Sequence, residues 1–128
     1  MRYSKMTKQF FIWVWLMVLL SCMSQKKLKS GQEAYEVKQY ALAISFYKNE
    51  FEDATNKKSK ASIAFQLGQC FSKISDSENE LIWYKRDYDI GYGLPALEEY
   101  AFALKQNEQY VYAADVFNDL AQEAPGGL

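Results

Sequence analysis

The 128-residue chain is 49% hydrophobic, 16% aromatic and 24% charged, a globular composition with enough apolar mass for one core. It has no histidine and two cysteines, which excludes a His-based catalytic triad, a His-ligated zinc, a histidine pH switch and a four-thiolate metal site. A formal net charge of −1 leaves no overall basic footprint for nucleic acid.

Residues 1–9 carry Arg2, Lys5 and Lys8 and no acid, and residues 10–20 read FFIWVWLMVLL without a break. A basic start, an apolar stretch of this length and a small residue after it describe a secretory signal over residues 1–21. The run falls short of the ~20 apolar residues of a spanning helix, although an uncleaved signal anchor is the competing reading. Leu19-Leu20-Ser21-Cys22 resembles the bacterial lipobox. That resemblance implies a diacylglycerol on Cys22, cleavage after Ser21 and a lipidated tether over residues 22–29. Met23 rather than Asp after the cysteine implies the outer membrane. The acid-free stretch Met23–Lys27 implies its periplasmic side rather than the cell surface.

With Cys22 assigned to lipid, Cys70 is a lone thiol inside a helical pattern, beside Gly68, Gln69 and Phe71. Two readings stand: a small buried core residue, or a reactive thiol. No Lys or Arg directly flanks it to lower its pKa, which favours the core. From Cys22 onward the chain holds twelve Lys and Arg against sixteen acids, a net charge of −4. Lys26, Lys27 and Lys29 form a small basic cluster next to the anchor, a solvated tether or a contact for anionic headgroups.

From about residue 27 the apolar pattern has helical period. Six helices are predicted in chain order, at about 27–38, 41–55, 60–74, 77–89, 95–106 and 110–123. Ser59 is the candidate N-cap of the third, and Ser75 or Ser77 of the fourth. Ser77 with Glu80 fits a capping box. Gly91-Tyr92-Gly93-Leu94-Pro95 breaks the chain before the fifth, with Pro95 suited to its first turn.

The helices repeat in pairs. Gly31, Gly68 and Ala101 are equivalent, as are Ala34, Phe71 and Leu104, then Ala43, Glu80 and Ala113, then Tyr47, Tyr84 and Phe117. The offsets are 37 and 33 residues, close to the ~34 of a tetratricopeptide repeat. Leu67-Gly68 with Phe71, Tyr110-x-x-Ala113-x-x-x-Phe117 and Pro125 resemble that repeat's pattern. Glu80, Glu50 and Asp87 depart from it, standing where alanine is usual, and Ala34 replaces the large residue of the first helix. The expected fold is all-α: a right-handed α-solenoid of about three tetratricopeptide-like helix pairs after the signal segment. The repeat domain spans 30–125, with units at about 24–60, 61–93 and 94–127; residues 126–128 lack the polar cap that repeat arrays need and read either as a truncated end or as an end capped against a partner.

In that repeat family the first helix of each pair lines a concave binding face. The resemblance places Gln32 and Tyr35, then Phe65, Gln69 and Ser72, then Glu98, Phe102 and Lys105 on it. Tyr35, Phe65 and Phe102 would give an aromatic stripe suited to a peptide or protein, or would complete the inter-helix core. The acid pairs Asp87/Asp89 and Glu98/Glu99 read as solvated helix faces, with no nucleophile, metal partner or phosphate-cradling loop beside them, so neither an enzyme nor a cofactor is expected.

The lipobox, the short basic linker and the runs Tyr40-Ala-Leu-Ala-Ile-Ser-Phe-Tyr-Lys48, Leu67-Gly-Gln-Cys-Phe71 and Trp83-Tyr-Lys-Arg86 resemble the amino-terminal part of Bacteroidota outer-membrane lipoproteins. In those, tetratricopeptide repeats precede a β-propeller and an OmpA-like domain, and some belong to the type IX secretion and gliding machinery. The resemblance implies a lipid-anchored protein–protein interaction scaffold, its partners other envelope proteins or peptides and, through Cys22, the membrane, with no nucleic acid. The alternative is a peptide- or solute-binding lipoprotein of an uptake system.

Overall fold

The computed structural model describes residues 3–21, 27–91 and 94–123. Among them all regular structure is helical: α1 Tyr3–Ser21, α2 Gly31–Glu36, α3 Tyr40–Asp53, α4 Lys57–Lys73, α5 Ser77–Ile90, α6 Leu94–Gln106 and α7 Tyr110–Glu123. Cys22, the expected lipidation residue, most of the expected tether, the Tyr92-Gly93 part of the chain break, Pro125 and the end at 126–128 lie outside the described residues. In α1, Phe10, Phe11, Trp13 and Trp15 are all exposed, as a helix apolar on every side must be when nothing covers it. No helix among the described residues is long and apolar enough to cross a membrane.

Helices α2 to α7 match the six predicted ones in order and type; α5 and α7 start at Ser77 and Tyr110 as predicted, and α2 and α4 start elsewhere for local reasons. The first is shorter than predicted because Ser30 caps it: the Ser30 hydroxyl accepts the Glu33 N–H at 3.2 Å, while Glu33 accepts the Lys29 N–H at 2.9 Å. The arrangement is close to the serine–glutamate capping box, with the carboxylate on the N–H before Ser30 instead of on that of Ser30 itself, and it is found here rather than at Ser77 and Glu80. Ser59 does not cap α4. Asn56 does, its side chain accepting the Ser59 N–H at 2.8 Å, so α4 starts three residues earlier than predicted. Neither Ser75 nor Ser77 caps α5. The cap is Asp76, whose carboxylate accepts the Asn79 N–H. An ionised cap also suits the positive end of the helix dipole. Pro95 does sit in the first turn of α6.

The ends of α2, α4 and α6 share one turn. Lys38, Ser75 and Glu108 all have a positive φ near 60°. The N–H after each reaches back to the last turn of its helix: Gln39 to Ala34 O, Asp76 to Phe71 O and Gln109 to Leu104 O, at 2.9–3.0 Å. These bonds satisfy carbonyls that a helix end leaves unpaired and swing the chain into the next helix. Their spacing is 37 and then 33 residues, the offsets of the sequence repeat. Three side chains that pay a steric cost in the left-handed region hold the same conformation, so the turn is imposed by the helices on either side of it.

Packing follows chain order: α2 lies on α3, α3 on α4, α4 on α5, α5 on α6 and α6 on α7. One buried cluster joins Ala34, Ala43, Ile44, Tyr47, Ala64, Leu67, Cys70, Phe71 and Trp83. A second joins Tyr84, Leu97, Tyr100, Ala101, Ala103, Leu104, Ala113 and Val116. Adjacent residues of α5 join different clusters, Trp83 the first and Tyr84 the second. The helices approach closely at the equivalent glycines: a Cβ on Gly31 would lie 2.4 Å from the Tyr47 ring, and one on Gly68 would lie 2.5 Å from the Tyr84 ring. Missing side chains on one helix thus admit the aromatic of the next. Cys70 is fully buried, and burial pushes its thiol up to about 11, which fits the core reading.

Candidate functional site

Residues four and then three apart on a helix share a face, so Phe65, Gln69 and Ser72 run along α4 and Glu98, Phe102 and Lys105 along α6. Gln32 and Tyr35 occupy the corresponding face of α2. Gln32, Ser72, Glu98, Phe102 and Lys105 are exposed, whereas Tyr35, Phe65 and Gln69 are half-buried. The aromatics divide between the two readings open to them. Tyr35 packs against the first core cluster and stands edge-on to Tyr40, ring centres 5.4 Å apart. Phe65 packs against the second cluster beside Tyr84 at 5.8 Å. Phe102 is 43% exposed and stands edge-on to Phe117 at 5.6 Å, which makes it the stripe's open aromatic.

Two polar members of the stripe, Gln32 and Ser72, are tied to the second helix of their pair. The Tyr47 hydroxyl donates to Gln32 Oε1 at 3.2 Å, and Gln32 donates to Glu36 at 2.9 Å. Ser72 hydrogen-bonds the carboxylate of Glu80, a buried acid in the position where alanine is usual. Burial raises the Glu80 pKa above its ordinary value. The Ser72 hydroxyl opposes that rise and the nearby Glu99 adds to it. Glu80 therefore braces the α4 face from behind.

The acids of α5 part company. Asp89 is exposed and paired with Lys85 at 2.6 Å. Asp87 is only 3% exposed, and its Oδ1 has no hydrogen-bond partner among the described residues. Burial alone pushes its pKa up to about 6. A solvated-face reading thus holds for Asp89 and fails for Asp87. Glu50 explains the difference. It is the residue equivalent to Asp87 in the first pair, and its Oε1 accepts the Gly31 N–H at 2.8 Å. That N–H is available because α2 begins at Gly31. Gly68, the equivalent of Gly31, lies well inside α4, where its N–H belongs to the helix. The longer helix takes away the donor that Asp87 would otherwise use. The signal was present in the repeat alignment, which puts Asp87 at an inward position.

Asp87 lines a cavity of about 260 Å³ with Lys58, Ala61, Ser62, Phe65, Pro95 and Ala96, between the start of α4, the second half of α5 and the start of α6. A larger cleft of about 660 Å³ lies at the α2–α3 end, lined by residues including Leu28, Val37, Leu42 and Phe46. Among the described residues no three His, Cys, Asp or Glu side chains converge to hold a metal ion.

No protein-family model, no curated protein and no solved structure matches this chain.

Proposed function

We propose that α2–α7 are three tetratricopeptide-like hairpins of a right-handed solenoid. In this reading the chain is an interaction scaffold, held by lipid on Cys22 at the periplasmic side of an outer membrane, that binds a segment of another envelope protein. The observation that carries it is the recurrence of one left-handed turn at Lys38, Ser75 and Glu108, with the same backbone hydrogen bonds, at the offsets of the sequence repeat. Hairpins built alike and packed in chain order suit a stacked array, whose members bury apolar faces only against their neighbours. The half-open stripe of Tyr35, Phe65 and Phe102, edged by Gln69, Glu98 and Lys105, suits recognition of an extended segment through aromatic anchors. The anchor rests on the lipobox resemblance.

The test is photo-crosslinking in the native envelope. A photoreactive residue is placed at Tyr35, at Phe102 and, as control, at Ser45, an exposed residue of α3. The reading requires the same protein adduct from both stripe positions and none from Ser45. Equal labelling at all three positions would refute it.

A further inference from the structure

We propose that the cavity between the start of α4, the second half of α5 and the start of α6 is a binding site for a primary alkylammonium group, with Asp87 as its acceptor. The site is separate from the aromatic stripe of the scaffold reading, sharing only Phe65 with it. Three observations carry the inference. Asp87 is 97% buried, its Oδ1 has no hydrogen-bond partner among the described residues, and the residue lines the cavity. A buried charge without a partner costs far more than one that is paired. The rest of the wall is chiefly apolar, with Ala61, Ala96 and the Phe65 ring.

The chemistry of the occupant follows from that inventory. It is cationic, because the unmet group is a carboxylate. A divalent metal needs several oxygen ligands, and among the described residues the cavity offers one carboxylate. A guanidinium carries five N–H donors in a fixed fork and would leave most of them unmet. An ammonium gives one proton to Asp87 and can turn another to the Ser62 hydroxyl at the mouth. Its methylenes then lie along the alanines and the Phe65 face, an arrangement that also draws on cation–π attraction. At about 260 Å³ the cavity is smaller than the ~300–1,000 Å³ of pockets that enclose whole drug-sized ligands. It fits one side chain or a short amine. Lys58 lines the same cavity, makes no hydrogen bond to Asp87 Oδ1, and sets a like charge beside the mouth.

The experiment titrates the full-length chain, in mild neutral detergent, with n-butylammonium, with n-butanol and with an acetylated, methylamidated lysine. The readout is the methyl NMR signals of Ala61 and Ala96. Expected is saturable millimolar binding of the two amines and none of the alcohol. The affinity should fall about tenfold in Asp87→Asn, which keeps the side chain's shape, and should rise in Lys58→Met. Butylammonium binding with no response to the lysine derivative would assign the site to free amines. The reverse result would assign it to peptide side chains. Equal binding of butanol, or amine binding unchanged in an Asp87→Asn protein of native helical content, would overturn the proposal. So would a stability loss in Lys58→Met that Asp87→Asn abolishes, since Lys58 would then be the occupant.

Discussion

Gly68 is set so close to Tyr84 that a Cβ on it would lie 2.5 Å from the ring, and the contact is the twin of Gly31 on Tyr47. Helices α4 and α5 meet there with no slack, because Tyr84 is fully buried and held from the other side by the α6–α7 cluster. Gly68→Ala is therefore expected to destabilise the protein by about 1–3 kcal/mol, the cost of overpacking a closed core. Ser62→Ala, on the exposed face of the same helix, should change stability by less than about 0.5 kcal/mol. Urea midpoints of the two variants check this, and equal midpoints would show that Tyr84 moves aside freely.

The three left-handed turns carry strain that glycine would relieve. Lys38→Gly, Ser75→Gly and Glu108→Gly should each stabilise the fold by roughly 0.5–1 kcal/mol, since glycine holds φ near 60° without a Cβ clash. The turns lie in different helix pairs, so the gains should add within about 0.5 kcal/mol. Thermal melts of the single and triple variants measure it. A loss of stability in any one would mean that its side chain earns its place.

Asp87 gives a pH dependence whose sign is fixed. Its folded pKa, about 6, lies above the ordinary 3.8. The stability of the protonated form is full below about 3.8 and is lost as pH rises through about 6. Asp87→Asn removes the titration. It should match the wild type near pH 4 and exceed it at pH 7 by up to about 3 kcal/mol. Glu80, raised in the same direction by burial, is common to both proteins and cancels in the difference. Denaturation curves across this range test the point, and a difference that does not vary with pH would refute it.

The cysteines should behave as two different groups. With its pKa pushed to about 11 and no exposed surface, Cys70 should resist iodoacetamide in the folded protein and react fully once unfolded. Mass spectrometry of a Cys22→Ala variant isolates that thiol, and rapid native alkylation would contradict its burial. In cells making the protein with its signal, Cys22→Ala should also abolish labelling by a radioactive fatty acid. Labelling that persists would remove the lipobox reading.

Period and spacing made the helices legible. Apolar residues at helical intervals placed all six from α2 to α7 in the right order, and the equivalence of Gly31 with Gly68 led to two matching close contacts between helices. Caps were harder, because several short polar residues precede each helix and only tertiary placement decides among them. Asn56 prevailed over Ser59, and Asp76 over Ser75 and Ser77. The left-handed turns were invisible, since lysine, serine and glutamate occupy positions where glycine would have announced them. Of the stripe, position along each helix was readable but burial was not. Tyr35 and Phe65 lean into the core while Phe102 stays open. Asp87 looked like half of an ordinary surface pair with Asp89, and its isolation depends on where another helix begins.

The turns at Lys38, Ser75 and Glu108 bear on how the molecule opens. A conformation disfavoured by its own residue survives only while the two helices beside it stay together. Each turn should therefore release when its hairpin separates, and not before. Amide exchange at Gln39, Asp76 and Gln109, whose N–H groups close the turns, would then report the breathing of three successive hairpins, one probe to each.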